Sequence, residues 1–130
     1  MKAMLYLLSG LIGFGLIGFG CYALVATSSV TGMVALEPKG IAGLNEARAV
    51  YSGSFWAMGG LILYALRTPS SRPSLLLAVG ILFGGFVAAR CVSIGIDGYD
   101  PTLTPALVSE IIATVILLAA SRDWTFEKSD

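Results

Sequence analysis

The sequence predicts an all-α protein, a polytopic membrane protein with four transmembrane helices in an antiparallel bundle, forming a single domain over residues 1–130. Three observations carry this reading. Hydrophobic residues make up 56% of the chain and charged residues 12%, about half the ~25% charge of a soluble domain. The mean hydropathy is +0.85, too apolar for disorder. Four stretches, three of them with a single charge inside, reach or approach the ~20 residues needed to cross ~30 Å of hydrocarbon.

The spans are expected at about 3–26, 47–66, 74–96 and 105–120. The first carries no charge. An apolar run this long exceeds the ~7–15 residues of a signal-peptide core, so it is read as an uncleaved span. Asn45 is the expected N-cap of the second, with Glu46 in its first turn. Thr68-Pro69-Ser70-Ser71-Arg72-Pro73 separates the second from the third. Thr104 and Pro105 read as N-cap and first position of the fourth. Lys2, Arg67, Arg72, Arg122 and Lys128 all lie at one end, so both termini are expected in the cytoplasm of a bacterial inner membrane. Trp124 and Phe126 then suit the inner interface.

Composition excludes several activities. There is no histidine, hence no Ser-His-Asp triad and no histidine-held zinc or haem. Net charge is zero, so nothing points to nucleic acid. Gly13-x-Gly15-x-x-Gly18 matches a dinucleotide fingerprint, but that motif needs a strand and a βαβ unit, which a membrane span cannot supply. The glycines are read instead as helix-packing surfaces. At ~100° per residue, Gly10, Gly13 and Gly20 share one face of span one, and Gly15 and Gly18 another. Gly80 and Gly84 form a second small-residue contact in span three. Cys21 and Cys91 lack a Cys-x-x-Cys partner and are expected as buried small apolar residues.

Charges within or beside spans are costly, so this cluster is read either as a satisfied salt-bridge network that fixes helix register or as a site for a ligand or chemistry. The charges are Glu46, Arg48, Arg90 and Glu110, all in the outer half. Arg90 lies ten residues before Asp100 and Glu110 ten after it, so a hairpin places them at equal depth and an ion pair is expected. Asn45, Arg48, Ser52 and Trp56 fall on one face of a regular helix, with the hydroxyl of Tyr51 near Arg48. Thr114 lies one turn beyond Glu110, and Asp97 is within reach of Arg90's face. Arg48 at a helix N-terminus would need an anionic partner. The expectation is a polar pocket beneath the outer surface, roofed by the loop from Ser28 to Leu44.

The run Asn45-Glu46-Ala47-Arg48-Ala49-Val50-Tyr51-Ser52-Gly53 resembles the Asn-Glu-x-Arg-x-x-Tyr-Gly-Gly pattern of a small bacterial four-helix membrane family known as domain of unknown function 4345. Arg90 and Glu110 are also similar to that family's pattern, while Ser52 replaces its first glycine. The resemblance implies fold and location and supplies no reaction.

The functional expectation is therefore a non-enzymatic binding or accessory protein whose pocket takes an amphipathic or anionic small molecule or lipid. One alternative is an enzyme acting on a lipid-like substrate with Glu110 or Glu46 as acid or base, although nearby arginines would depress the pKa such work needs. Another is a small four-helix exporter, which span one disfavours by lacking a glutamate. No cofactor and no metal site are expected, because arginines interleave the carboxylates. Membrane lipids are the expected partners, with self-association or a larger membrane complex left open.

Overall fold

The computed structural model describes residues 1–122; Trp124, Phe126 and Lys128 lie outside the described residues. The described residues form helices joined by short turns and loops, with no strand among them. Helix α1 spans Lys2–Val25, and a break at Ala26 separates it from the short α2, Thr27–Gly32. Helix α3, Gly40–Arg48, runs through a π-helical turn, Ala49–Gly53, directly into α4, Ser54–Arg67. Helix α5 covers Arg72–Asp97, and a 3-10 turn at Pro101–Leu103 leads into α6, Thr104–Ser121. Four helices are long and apolar enough to cross a membrane: Lys2–Val25, the continuous Gly40–Arg67, Arg72–Asp97 and Pro101–Ser121.

Two helix starts differ from the sequence reading. The second span begins at Gly40, with Lys39 in the cap position, so Asn45 is an interior residue and caps nothing. Gly40 has φ +64°, a left-handed conformation that suits glycine at the entry. The helix continues upstream of Asn45 because residues 40–44 offer no proline to stop it. The fourth span is capped one turn earlier than expected, where the Asp100 side chain accepts a bond from the Thr102 N–H at 2.8 Å.

The long helices pack in a ring: α1 on α4, α4 on α5, α5 on α6, and α6 back on α1. Its apolar core is off-centre. Met58, Ile62 and Ala65 of α4, Leu76, Val79 and Phe83 of α5, and Ala113, Leu117 and Ala120 of α6 run from the middle of the helices to the end that holds Arg67 and Arg72. Leu5, Ile12 and Leu16 of α1 pack against them. Arg72 closes this end. Its Nε–H and Nη2–H donate to the Ala65 and Leu66 carbonyls at 3.3 and 2.9 Å, and its guanidinium lies 4.6 Å from the Tyr6 ring centre. The cation thereby satisfies the Leu66 carbonyl at the C-terminus of α4 and adds a second donor to the Ala65 carbonyl, which also accepts the Thr68 N–H at 3.2 Å. Large apolar side chains, among them Leu7, Leu11, Phe14, Ile81, Ile112 and Val115, face outward.

The glycine faces of α1 have different fates. Gly10, Gly13 and Gly20 meet α4: a Cβ at Gly13 would lie 3.1 Å from Leu63, and one at Gly20 would lie 2.7 Å from Trp56. The answering residue on α4 is Gly59, where a Cβ would come within 2.7 Å of the Gly13 carbonyl oxygen. This is the close backbone approach that small residues permit between apolar helices. Gly15 and Gly18 have nothing within 4 Å, so the second packing face expected of span one is open. The reason is the ring order: α1 meets its other neighbour, α6, without its second glycine face. Gly80 fits against Leu118 of α6, where a Cβ would sit at 2.8 Å, while at Gly84 a Cβ would reach Thr114 only at 3.6 Å. Cys21 and Cys91 are free and exposed rather than buried, because both lie on outward faces.

Candidate functional site

The polar groups collect at the end opposite the core, where α1 and α5 finish and α6 begins. Arg90 and Glu110 are joined there by two parallel bonds. Arg90 Nε–H donates to Glu110 Oε2 at 2.7 Å, and Nη2–H donates to Oε1 at 2.9 Å. Their side chains are 27% and 12% exposed. The fork of the guanidinium matches the carboxylate, so the pair is charge-neutral and uses both Glu110 oxygens. Among the described residues it is the one ion pair. The Thr114 hydroxyl donates to the Glu110 carbonyl at 2.7 Å, which ties it to the backbone and not to the carboxylate. Tyr51 lies within electrostatic reach of Arg90.

Arg48 is placed differently. It is exposed, and its Nε–H donates at 3.1 Å to the hydroxyl oxygen of Thr27. That hydroxyl is buried and in turn donates to the Ala23 carbonyl at 2.8 Å. Thr27 therefore orients the guanidinium while leaving its charge uncompensated. Because α3 starts at Gly40, Arg48 is not at a helix N-terminus, and the dipole does not explain its need for an anion.

The expected common face of Asn45, Arg48, Ser52 and Trp56 is split. A π turn spaces hydrogen bonds five residues apart and shifts the register that a regular helix would keep. Asn45, Glu46 and Arg48 are exposed, whereas Ser52 is 2% exposed. Its Oγ is buried without a hydrogen-bond partner, a cost of about 1–3 kcal/mol for a desolvated polar group. The Trp56 indole turns toward Gly20. No hydrogen bond or ion pair among the described residues joins Glu46 to Arg90 or Glu110.

The remaining candidates are separate. Asp97 accepts from the Ser93 hydroxyl at 3.1 Å and not from Arg90. Asp100 receives the N–H and hydroxyl of Thr102; the backbone bond first, then the side-chain bond, holds its carboxyl below the usual aspartate range. The Tyr99 hydroxyl bonds the Thr104 hydroxyl. The segment after α1 folds as α2 and a turn with Ala35 at φ 54°, and lines an open cavity of about 420 Å³ formed by Ser28, Thr31, Gly32, Ala35, Leu36, Glu37 and Pro38. No described group of three or more Cys, Asp or Glu side chains could hold a metal ion.

Sequence reasoning missed three contributors: Thr27, Gly59 and the capping role of Arg72. Thr27 could have been found as a hydroxyl just past the end of a span, and Gly59 as half of the Gly59-Gly60 pair inside one. No curated protein and no solved structure matches the chain. A family model described as Domain of unknown function (DUF4345) matches residues 4–121, a segment that takes in the ring and every residue of the polar end described above. The chain belongs to the DUF4345 family.

Proposed function

We propose that this protein is an integral membrane protein whose four long helices cross a bacterial inner membrane as an antiparallel bundle, with both termini cytoplasmic. Its outer end acts as a non-enzymatic binding site for an amphipathic or anionic small molecule or lipid. The outward Leu, Ile, Val and Phe side chains support insertion. The basic residues at the Arg67–Arg72 end support the orientation. The observation that carries the binding role is the concentration of incompletely satisfied polar groups at one end. Among the described residues Arg48 has no carboxylate partner and Ser52 Oγ no partner at all, in a chain otherwise built of apolar spans. Intramembrane polar groups are costly, and a ligand is one reason to keep them.

The enzymatic alternative is less well supported. Both oxygens of Glu110 are held by Arg90, which disfavours it as a proton-transfer group, and Glu46, the other candidate, is exposed and not joined to that pair among the described residues. An exporter of the small four-helix type lacks its span-one carboxylate here.

Two measurements test the proposal. Reporter fusions at Asp130 and at Lys39 should read opposite compartments, with Asp130 inside. Mass spectrometry of the protein extracted from its membrane in neutral detergent should detect a co-purifying amphipath. A periplasmic Asp130 fusion would sink the topology, and a protein that retains no amphipath would sink the binding role.

A further inference from the structure

Of the two arginines at the polar end, we propose that Arg48, and not Arg90, is the anchor for an anion, and that the anion is the phosphate of a lipid headgroup. This deepens the binding role proposed above and rests on it. Arg90 has already met a carboxylate with two parallel bonds, and a neutral, bidentate pair has little left to offer a second anion. Arg48 has spent a single N–H, on a hydroxyl that carries no charge. Its four other N–H groups have no acceptor among the described residues, while Thr27, itself locked to Ala23, keeps the guanidinium from sweeping freely. An oriented, unneutralised guanidinium fork fits phosphate oxygens.

Depth selects the lipid. Arg48 is nineteen residues from Arg67 on the same continuous span, roughly 29 Å along the axis. That is close to the ~30 Å thickness of the hydrocarbon. With Arg67 at one boundary, Arg48 stands at the other, at the level of the phosphates. The exposed apolar residues Leu24, Val25 and Val50 adjoin the two partners in sequence and offer contact for acyl chains. A free anion would instead approach from the water beyond this end, past the four carboxylates of Glu37, Glu46, Asp97 and Asp100, which Lys39 offsets only in part. The shared chemistry is the phosphate group; the surroundings favour the one attached to a lipid.

Native mass spectrometry of the full chain in neutral detergent, titrated with phosphatidylglycerol, tests the assignment. Three proteins are compared: the parent, Arg48→Gln, and the double variant Arg90→Met with Glu110→Gln. Thermal unfolding of each variant reports whether it is folded. Arg48→Gln should bind phosphatidylglycerol about fivefold more weakly, the weight of one basic residue at an anionic surface. The double variant should bind as the parent does. A large excess of inorganic phosphate should leave the lipid bound; displacement by phosphate would keep Arg48 as the anchor and overturn the lipid as its source. If Arg48→Gln binds like the parent and the double variant loses the lipid, the anchor is at Arg90 and this inference falls, while the binding end stands. If the parent binds no phosphatidylglycerol, Arg48 anchors no lipid phosphate; if it also retains no amphipath from its own membrane, the broader reading falls with it.

Discussion

The two ends of the helix ring are built on opposite terms. Toward Arg67 and Arg72, hydrocarbon fills the centre, and the one cation that turns inward, Arg72, is consumed by two carbonyls and a tyrosine face. Toward Arg48 and Arg90, the buried hydroxyls of Thr27, Thr31 and Ser52 lie among the apolar Ala23, Val30 and Ala47, the salt bridge is part-buried, and among the described residues Ser52 Oγ has no partner and Arg48 no counter-charge. A closed apolar core holds the helices together without needing anything further. A polar end left incomplete stabilises less per residue and gains most from a ligand. On the proposed reading, stability and recognition lie at different ends of the same four helices.

The strongest way to break this contrast is at the α1–α4 seam. Gly59→Leu should abolish or severely weaken the fold, because even its Cβ would strike the Gly13 carbonyl and Ile17, and overpacking costs roughly 1–3 kcal/mol or more. Gly18→Leu, with open space around it, should fall within about 0.5 kcal/mol of the parent. Thermal unfolding in detergent separates the two. An equal loss in both would mean that the open face of α1 is covered by another chain.

Next in size is the ion pair. Arg90→Met alone leaves Glu110 uncompensated and should cost about 2–4 kcal/mol, somewhat below a fully buried pair because Arg90 is partly exposed. Adding Glu110→Gln should recover much of that loss. A double variant as unstable as the single one would show that the charges serve something beyond each other.

The smallest effect sharpens the contrast most. Ser52→Ala should raise stability by about 1 kcal/mol, since it removes a buried hydroxyl without a partner. A destabilised Ser52→Ala protein would show that this hydroxyl is satisfied and the polar end less incomplete than drawn.

Much of the architecture was legible in the residues. Span number follows from apolar length, which the thickness of a membrane makes nearly countable. The Arg90–Glu110 pairing was legible because a hairpin converts equal sequence offsets into equal depth, independent of detail. The Asn45–Arg48–Ser52 face was not, because it assumed one uninterrupted helical period. The π turn at Ala49–Gly53 breaks that period, and no residue in the run signals it as proline would. The start of the second span was misplaced for a related reason: Asn45 has the chemistry of a cap, but residues 40–44 are equally able to be helical, and cap chemistry acts only where the helix in fact begins.

The sequence by itself determined that this chain is helical, that four segments are long and apolar enough for a membrane, and that opposite charges lie at matching depths, since these depend on composition and on rise per residue. Tertiary structure decided which glycine face of α1 is used, that Gly59 answers Gly13, that Ser52 is buried while Arg48 is not, and that Thr27 holds Arg48. Those outcomes depend on how each helix is rotated against its neighbours. Rotation is set by the fit of all the contacts together, which no single helix period contains.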